Sequence, residues 1–255
     1  MIEFRNATIG IAEKTLVRDI EAQIAPGKFV AVLGANGAGK TTLLRTICGF
    51  ARLRAGEIRL DGTPVAALTG RERARLLAFV TTDDALTDAL TVRDVVSIGR
   101  FAHHRWWQWR SSPEDETAVD RALCAVRMDA YGARLFATLS SGERQRVWIA
   151  MGVAQRTPIL LLDEPTSHLD VRVAHEILAL LRELARSGTT ILCVLHDLND
   201  AAAYADELML LGAESMLAFG APRNVLRPDL VERAYGIAMH AIPTEHGIRI
   251  FPVAT

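Results

Sequence analysis

Short continuous apolar runs alternate along this chain with stripes of helical period. Phe29-Val30-Ala31-Val32-Leu33, Ile159-Leu160-Leu161-Leu162 and Ile191-Leu192-Cys193-Val194-Leu195 are runs of strand length, and they predict buried strands. Residues 1–33 read as strands broken by turns, with Pro26-Gly27 the clearest turn. Gly56 to Val65 reads as a hairpin, with Asp61-Gly62 between Glu57-Ile58-Arg59-Leu60 and a returning strand. Arg71 to Leu77 predicts a short charged helix, and Leu77-Ala78-Phe79-Val80 a strand. From about Thr91 to Gln155 the helical period dominates: Val92, Val95, Val96 and Ile98 form one apolar set, and Val119, Leu123 and Val126 another. After Pro158 an α/β alternation returns. Val173, Ile177, Leu180, Leu181 and Leu184 share a helix face there, and Gly188 ends the helix. No repeat and no low-complexity stretch interrupts the layout, which predicts an α/β core carrying an inserted helical lobe.

Composition narrows the partners. The 255 residues are 50% hydrophobic and 23% charged with a net charge of −1, so no global basic field argues for nucleic acid. Cys48, Cys124 and Cys193 are isolated, with no paired spacing, and are expected to be small core residues in a reducing compartment. Met1-Ile2-Glu3-Phe4-Arg5 leads straight into a mixed segment, so no secretory leader is expected. No apolar run approaches the ~18 residues that a bilayer span needs.

The chemistry is concentrated in short segments. Gly34-Ala35-Asn36-Gly37-Ala38-Gly39-Lys40-Thr41, between a predicted strand and a predicted helix opening Thr42-Leu43-Leu44, has the phosphate-loop form. Glycines at 34, 37 and 39 let successive backbone N–H groups turn toward one anion, and the helix start adds its positive end. Lys40 would reach the β- and γ-phosphates of a nucleoside triphosphate, and Thr41 would place its hydroxyl on Mg²⁺. Asp163 and Glu164 end a hydrophobic strand, where successive side chains point to opposite sides. Asp163 would hold the Mg²⁺ shell, and Glu164 would orient and deprotonate the attacking water. Ser140, with Glu143 three residues on, predicts a capping box opening a helix along Val147, Ala150, Met151 and Ala154. A serine and a glycine at a helix start also make a second phosphate-binding end.

Together the phosphate loop, the LSSGERQ segment at 139–145, the ILLLDEP strand at 159–165, Ser167-His168-Leu169-Asp170 and His196 resemble the ATP-binding cassette ATPases. The resemblance covers essentially the whole chain. It implies a phosphate-loop NTPase core with an antiparallel β subdomain and an inserted α-helical subdomain: about 1–84 and 156–255 for the core lobe, about 85–155 for the helical signature lobe. It implies a homodimer packed head to tail around two ATP molecules. In each site Gly34, Asn36, Gly37, Ala38, Gly39, Lys40, Thr41 and Thr42 would hold one nucleotide. Ser140, Ser141, Gly142, Glu143 and Gln145 of the other copy would meet it. By the same resemblance His196 contacts the γ-phosphate, and Asp170 couples the two sites.

Two positions depart from the family pattern. Ile11 stands where an aromatic usually stacks on adenine, losing a stack worth about 0.5–1.5 kcal/mol. Thr82, followed by Asp83 and Asp84, stands where a glutamine usually touches Mg²⁺ and senses the membrane partner. The expected role is the ATPase subunit of a membrane transporter whose permease is a separate chain. DNA-repair and translation ATPases of the superfamily carry coiled-coil or zinc insertions or a second cassette, none of which this sequence shows. An exporter is the other alternative. Val96-Ser97-Ile98-Gly99-Arg100, Trp106-Trp107 and Pro113-Glu114-Asp115-Glu116 resemble the subgroup serving iron-siderophore, haem and cobalamin importers, which implies a substrate-binding protein outside and a place at the cytoplasmic face of the membrane. His103, His104, Trp106, Trp107 and Trp109 are expected to form a polar–aromatic loop rather than a metal or haem site, and His240 and His246 to be surface residues.

Overall fold

The structure, a computed structural model, describes residues 1–81, 89–103, 112–245 and 247–253. The apolar runs become strands because each lies between two covered faces. Strands β1 (Ile2–Ile11), β2 (Lys14–Ile24) and β3 (Phe29–Leu33) open the chain, and helix α1 (Lys40–Ile47) follows. The predicted hairpin is present as β4 (Ala55–Leu60) and β5 (Thr63–Pro64), with Asp61 and Gly62 both at positive φ (46° and 81°), the geometry that suits the twist of a two-residue turn. Helix α2 (Gly70–Leu76) and strand β6 (Leu77–Val80) come next, then three helices: α3 (Val92–Ile98), α4 (Pro113–Ala125) and α5 (Ser141–Ala154). Beyond them β7 (Ile159–Asp163), α6 (Val171–Arg186), β8 (Thr190–Val194), α7 (Leu198–Tyr204), β9 (Glu207–Leu211) and β10 (Glu214–Gly220) alternate. Two short helices, α8 (Pro222–Val225) and α9 (Pro228–Tyr235), and a hairpin of β11 (Met239–Thr244) and β12 (Gly247–Pro252) end the described chain.

The main sheet runs β5-β4-β1-β2-β10-β9-β3-β8-β7-β6. Its first part is antiparallel, through the β1–β2, β1–β4 and β4–β5 pairs, and its other part is built on parallel pairs of β3 with β8 and β9, and of β7 with β8 and β6. This is the expected fold class. Every residue of β3 and β8 is buried, because α5 and α6 cover one face and α1 with the antiparallel strands covers the other.

Helices α3, α4 and α5 pack on one another and on β6. Thr91, Ser112 and Ser140 each accept from the backbone N–H three residues on in a complete capping box, so all three starts are written locally. Val92, Val95, Val96, Val119, Leu123 and Val126 are buried as their spacing predicts. Ile98 is not. It is 49% exposed, because the last turn of α3 rotates it past the α4–α5 contact. Cys124 also departs from expectation: it lies on the exposed face of α4, whereas Cys48 and Cys193 are buried.

The helical ends are tied by a buried ion pair. Arg100 Nε donates to Asp115 Oδ1 at 2.8 Å and Arg100 Nη1 to the Ala154 carbonyl at 2.8 Å, with both side chains below a tenth exposed. One guanidinium therefore joins the end of α3, the first turn of α4 and the last residue of α5. Removing one partner of such a pair leaves an uncompensated buried charge. Arg100→Met is expected to lose about 3–5 kcal/mol of stability in a urea titration; a loss under about 1 kcal/mol would show the pair to be dispensable.

Candidate functional site

The carboxyl ends of β3, β7 and β8 meet in one place. Val194 of β8 pairs with Val32 of β3 on one side and with Asp163 of β7 on the other. Within two residues of that line lie Gly34, Glu164 and His196.

The loop after β3 turns where only glycine fits. Gly34 has φ 147°, and a Cβ there would sit 2.5 Å from the Leu211 carbonyl oxygen of β9. Ala38 N–H donates to the Ala35 carbonyl at 3.1 Å, and Gly39 enters α1 in the left-handed region with no side chain capping the helix. The first amides of α1 are thus left for an anion. Asn36 and Gly37 are exposed at the loop's crest, whereas Lys40 and Thr42 are buried. Lys40 Nζ donates to the Gly34 carbonyl at 2.8 Å and the Ala35 carbonyl at 3.2 Å. Burial lowers the Lys40 pKa, and the charges of Glu164 and Asp163 oppose that shift.

Thr41 and Asp163 meet across the site, with Thr41 Oγ1 donating to Asp163 Oδ1 at 3.1 Å. Partial burial raises the Asp163 pKa against this hydrogen bond, and the Glu164 charge raises it further. Glu164 turns the other way. Its Oε1 lies 2.7 Å from His196 Nε2, and Ser167 Oγ donates to its Oε2 at 3.3 Å. Partial burial works to raise the Glu164 pKa, but the bond and charge of His196, with Ser167 and Lys40, bring the net value below the usual one. Glu164 also sits at φ 52°, a left-handed conformation that costs a non-glycine residue about 1–3 kcal/mol. A hydroxyl and a carboxylate oxygen side by side are the hard donors Mg²⁺ prefers, and an amide-lined loop with a lysine suits a polyphosphate. The residues present fit both groups.

Ile11 is 59% exposed at the end of β1 and borders a cleft of about 620 Å³ shared with Thr42, Arg45 and Phe50. Thr82 lies outside the described residues, as do Asp83, Asp84, His104, Trp106, Trp107, Trp109 and His246. His103 Nε2 hydrogen-bonds the Gln155 carbonyl at 2.7 Å, and His240 is exposed. Among the described residues no group of three or more potential metal-binding side chains occurs, and no helix is long and apolar enough to cross a membrane.

The 139–145 segment stands apart from this site. Ser140 and Ser141 are exposed, and the Ser140 hydroxyl and backbone N–H both donate to Glu143 Oε2, at 2.9 and 2.8 Å. Those donors, the backbone N–H first, hold the Glu143 carboxyl below its usual pKa. Gly142 is buried, and a Cβ there would lie 2.5 Å from Val173 Cγ1, so its smallness lets α5 approach α6. Gln145 is 5% exposed, with its Nε2 unpartnered among the described residues. Asp170 caps α6, accepting from Val173 N–H at 2.9 Å. Among the described residues no hydrogen bond or ion pair joins 140–145 to the phosphate loop or to Asp163 and Glu164.

Nothing in the sequence points to Tyr235. Its hydroxyl, on α9, accepts from the buried Gly34 N–H at 3.0 Å across 201 positions of chain. Burial pushes its pKa up to about 12, with the Gly34 bond acting against that. No spacing rule connects two residues so far apart. Phe50, 74% exposed, borders the same cleft as Ile11 and tilts against Phe79 with ring centroids 6.2 Å apart.

Comparison with known proteins agrees with this geometry. A family model described as "ABC transporter" matches residues 17–167. The ferric enterobactin transport ATP-binding protein FepC of Escherichia coli (strain K12) is 39% identical over 232 residues, covering 90% of this chain and 85% of FepC. An inward-facing metal-chelate type ABC transporter superposes with a TM-score of 0.85 at 26% identity, over 99% of this chain and 97% of that one. A bacterial ABC transporter cassette solved as a dimer gives a TM-score of 0.74 at 26% identity, over 88% and 99%.

Because Tyr235 supplies the acceptor for a buried loop amide, Tyr235→Phe is expected to destabilise the chain by about 1–3 kcal/mol. Urea titration checks this, and an unchanged midpoint would mean that Gly34 finds another acceptor.

Proposed function

The chain belongs to the ABC transporter family and hydrolyses ATP, and we propose that it powers a membrane importer of a metal chelate through a separate permease dimer. Iron-siderophore is the proposed cargo, with haem and cobalamin next. The similarity to FepC and to a metal-chelate type transporter supports this reading. A substrate-binding protein would deliver the chelate outside, and this subunit would sit peripherally at the cytoplasmic face of the inner membrane.

The single observation that carries the chemistry is the 2.7 Å contact between His196 Nε2 and Glu164 Oε1, beside the Thr41–Asp163 pair. In this reading the loop amides and Lys40 hold the β- and γ-phosphates of ATP. Thr41 and Asp163 would hold Mg²⁺, which when bound neutralises charge on the phosphates. Glu164, its net pKa below the usual one, is ionised at neutral pH, and the lone pairs not taken by His196 and Ser167 can orient water and take its proton. His196 fixes the carboxylate's direction, and Ile11 offers adenine an aliphatic surface.

Each site is completed by a second copy of the chain. Residues Ser140, Ser141, Gly142, Glu143 and Gln145 of that copy close over the nucleotide, and Asp170 couples the two sites. The absence of any described bond from 140–145 to the chain's own phosphate loop supports an intermolecular role. So does the exposure of Ser140 and Ser141. Residues of about 1–84 and 156–255 act as the catalytic lobe, and about 85–155 as the lobe that moves against it when ATP draws the copies together.

Glu164→Gln is expected to abolish turnover and accumulate an ATP-bound dimer on size-exclusion chromatography, whereas Lys40→Ala should lose tight nucleotide binding. Turnover at the parental rate by the Glu164 variant would contradict the assigned base. Uptake of ferric siderophore, haem and cobalamin by the chain co-expressed with its permease pair tests the cargo.

A further inference from the structure

We propose that Asn199 is a positioning residue, clamping the β11–β12 hairpin to the segment that carries His196 and so holding the His196–Glu164 pair. The inference rests on the catalytic reading of that pair. The His196 side chain is 46% exposed, so its direction depends on the backbone that carries it. On one side that backbone is anchored through Leu195 N–H, which donates to the Val32 carbonyl at 3.2 Å. On the other side Asp197 caps α7, accepting from Asn199 N–H at 2.7 Å and Asp200 N–H at 2.9 Å.

Helix α7 is seven residues long, too short to hold itself in place. Its far end is tied to α6: His175 Nδ1 lies 3.1 Å from the Tyr204 hydroxyl, and Arg182 Nη1 donates to the Tyr204 carbonyl at 2.6 Å. Its near end, beside His196, is tied by Asn199. The Asn199 amide donates to the Ile250 carbonyl at 3.2 Å and accepts from Ile250 N–H at 2.8 Å. Ile250 is 4% exposed and pairs with Ala241 in the hairpin, so the side chain docks on a fixed strand. Asparagine is suited to this because its amide offers a donor and an acceptor together. Aspartate could only accept, and would add a carboxylate beside Asp197 and Asp200. The hairpin lies outside the segment matched by the family model. It also brings Arg249 to the cleft that Glu164 and His196 line.

The test compares steady-state ATP hydrolysis by the full chain carrying Asn199→Ala, Asn199→Asp, His196→Ala, the Asn199→Ala/His196→Ala pair and Glu164→Gln. Asn199→Ala is expected to lower kcat about tenfold, with the ATP KM within about twofold because the phosphate loop is untouched. The same change should cost nothing further once His196 is alanine. Asn199→Asp, keeping one bond of two, should fall between. A contact that only stabilises the fold would leave kcat unchanged in the folded protein. The proposal is overturned if the kcat of Asn199→Ala stays within about twofold of the parent, or if its loss multiplies with that of His196→Ala. Should Asn199→Ala fail to fold, Asn199→Asp decides: an intermediate kcat at the parental KM upholds the clamp, and a parental kcat overturns it. Parental activity in Glu164→Gln would instead sink the catalytic reading itself, whereas an inactive Glu164→Gln with a fully active Asn199→Ala sinks the clamp alone.

Discussion

The register of three parallel strands is the constraint on which the rest depends. Val194 faces Val32 and Asp163 in one rung of the sheet, so the loop after β3, the carboxylates after β7 and the histidine after β8 emerge together. These strands are covered on both faces, and a slip of one residue would reverse every side chain they present to two different packing layers. The hydrophobic core therefore sets the geometry of the polar site. The same logic explains why the site is at the carboxyl ends, where parallel strands leave a crevice and helices begin.

Within that crevice burial and charge pull against one another. Desolvation disfavours both the ammonium of Lys40 and the carboxylate of Asp163, while each is favoured by the other's charge. At Glu164 desolvation pulls the same way, but His196, Ser167 and Lys40 together outweigh it and favour the ionised form. Glu164 occupies a strained backbone conformation, which the Ser167 N–H bond to its carbonyl at 3.2 Å helps to hold. Strain, a depressed carboxyl pKa and a histidine partner coincide at one residue, a combination that structural ion pairs seldom need.

The helical region is held by its buried apolar faces, among them Val92, Val96, Leu123, Val147 and Ile149, while local caps and the buried Arg100–Asp115 pair fix its helix ends. Arg100 ties three helix ends into a unit, and Gly142 lets α5 lie close on α6. The exposed serines at the start of α5 are thus mounted on a rigid frame. Their cap is satisfied within the helix, so what they present outward is a positive helix end and two small side chains.

Much of this is legible in the sequence. The buried strands, the Asp61-Gly62 turn, the Ser140–Glu143 capping box and the phosphate loop are all written within a few consecutive residues, because turns, caps and strand runs obey short-range rules. Ile98 departs from its pattern because periodicity marks a face but not which neighbour covers it, and Cys124 departs because the usual burial of a lone cysteine says nothing of which face of α4 it falls on. Tyr235 on Gly34 and Asn199 on Ile250 had no signal at all. Sequence by itself determined which chemical groups are available and which local shapes carry them. Only tertiary structure decided which of those groups meet, because contacts across 201 and 51 positions depend on how strands and helices pack, and packing is a property of the whole chain.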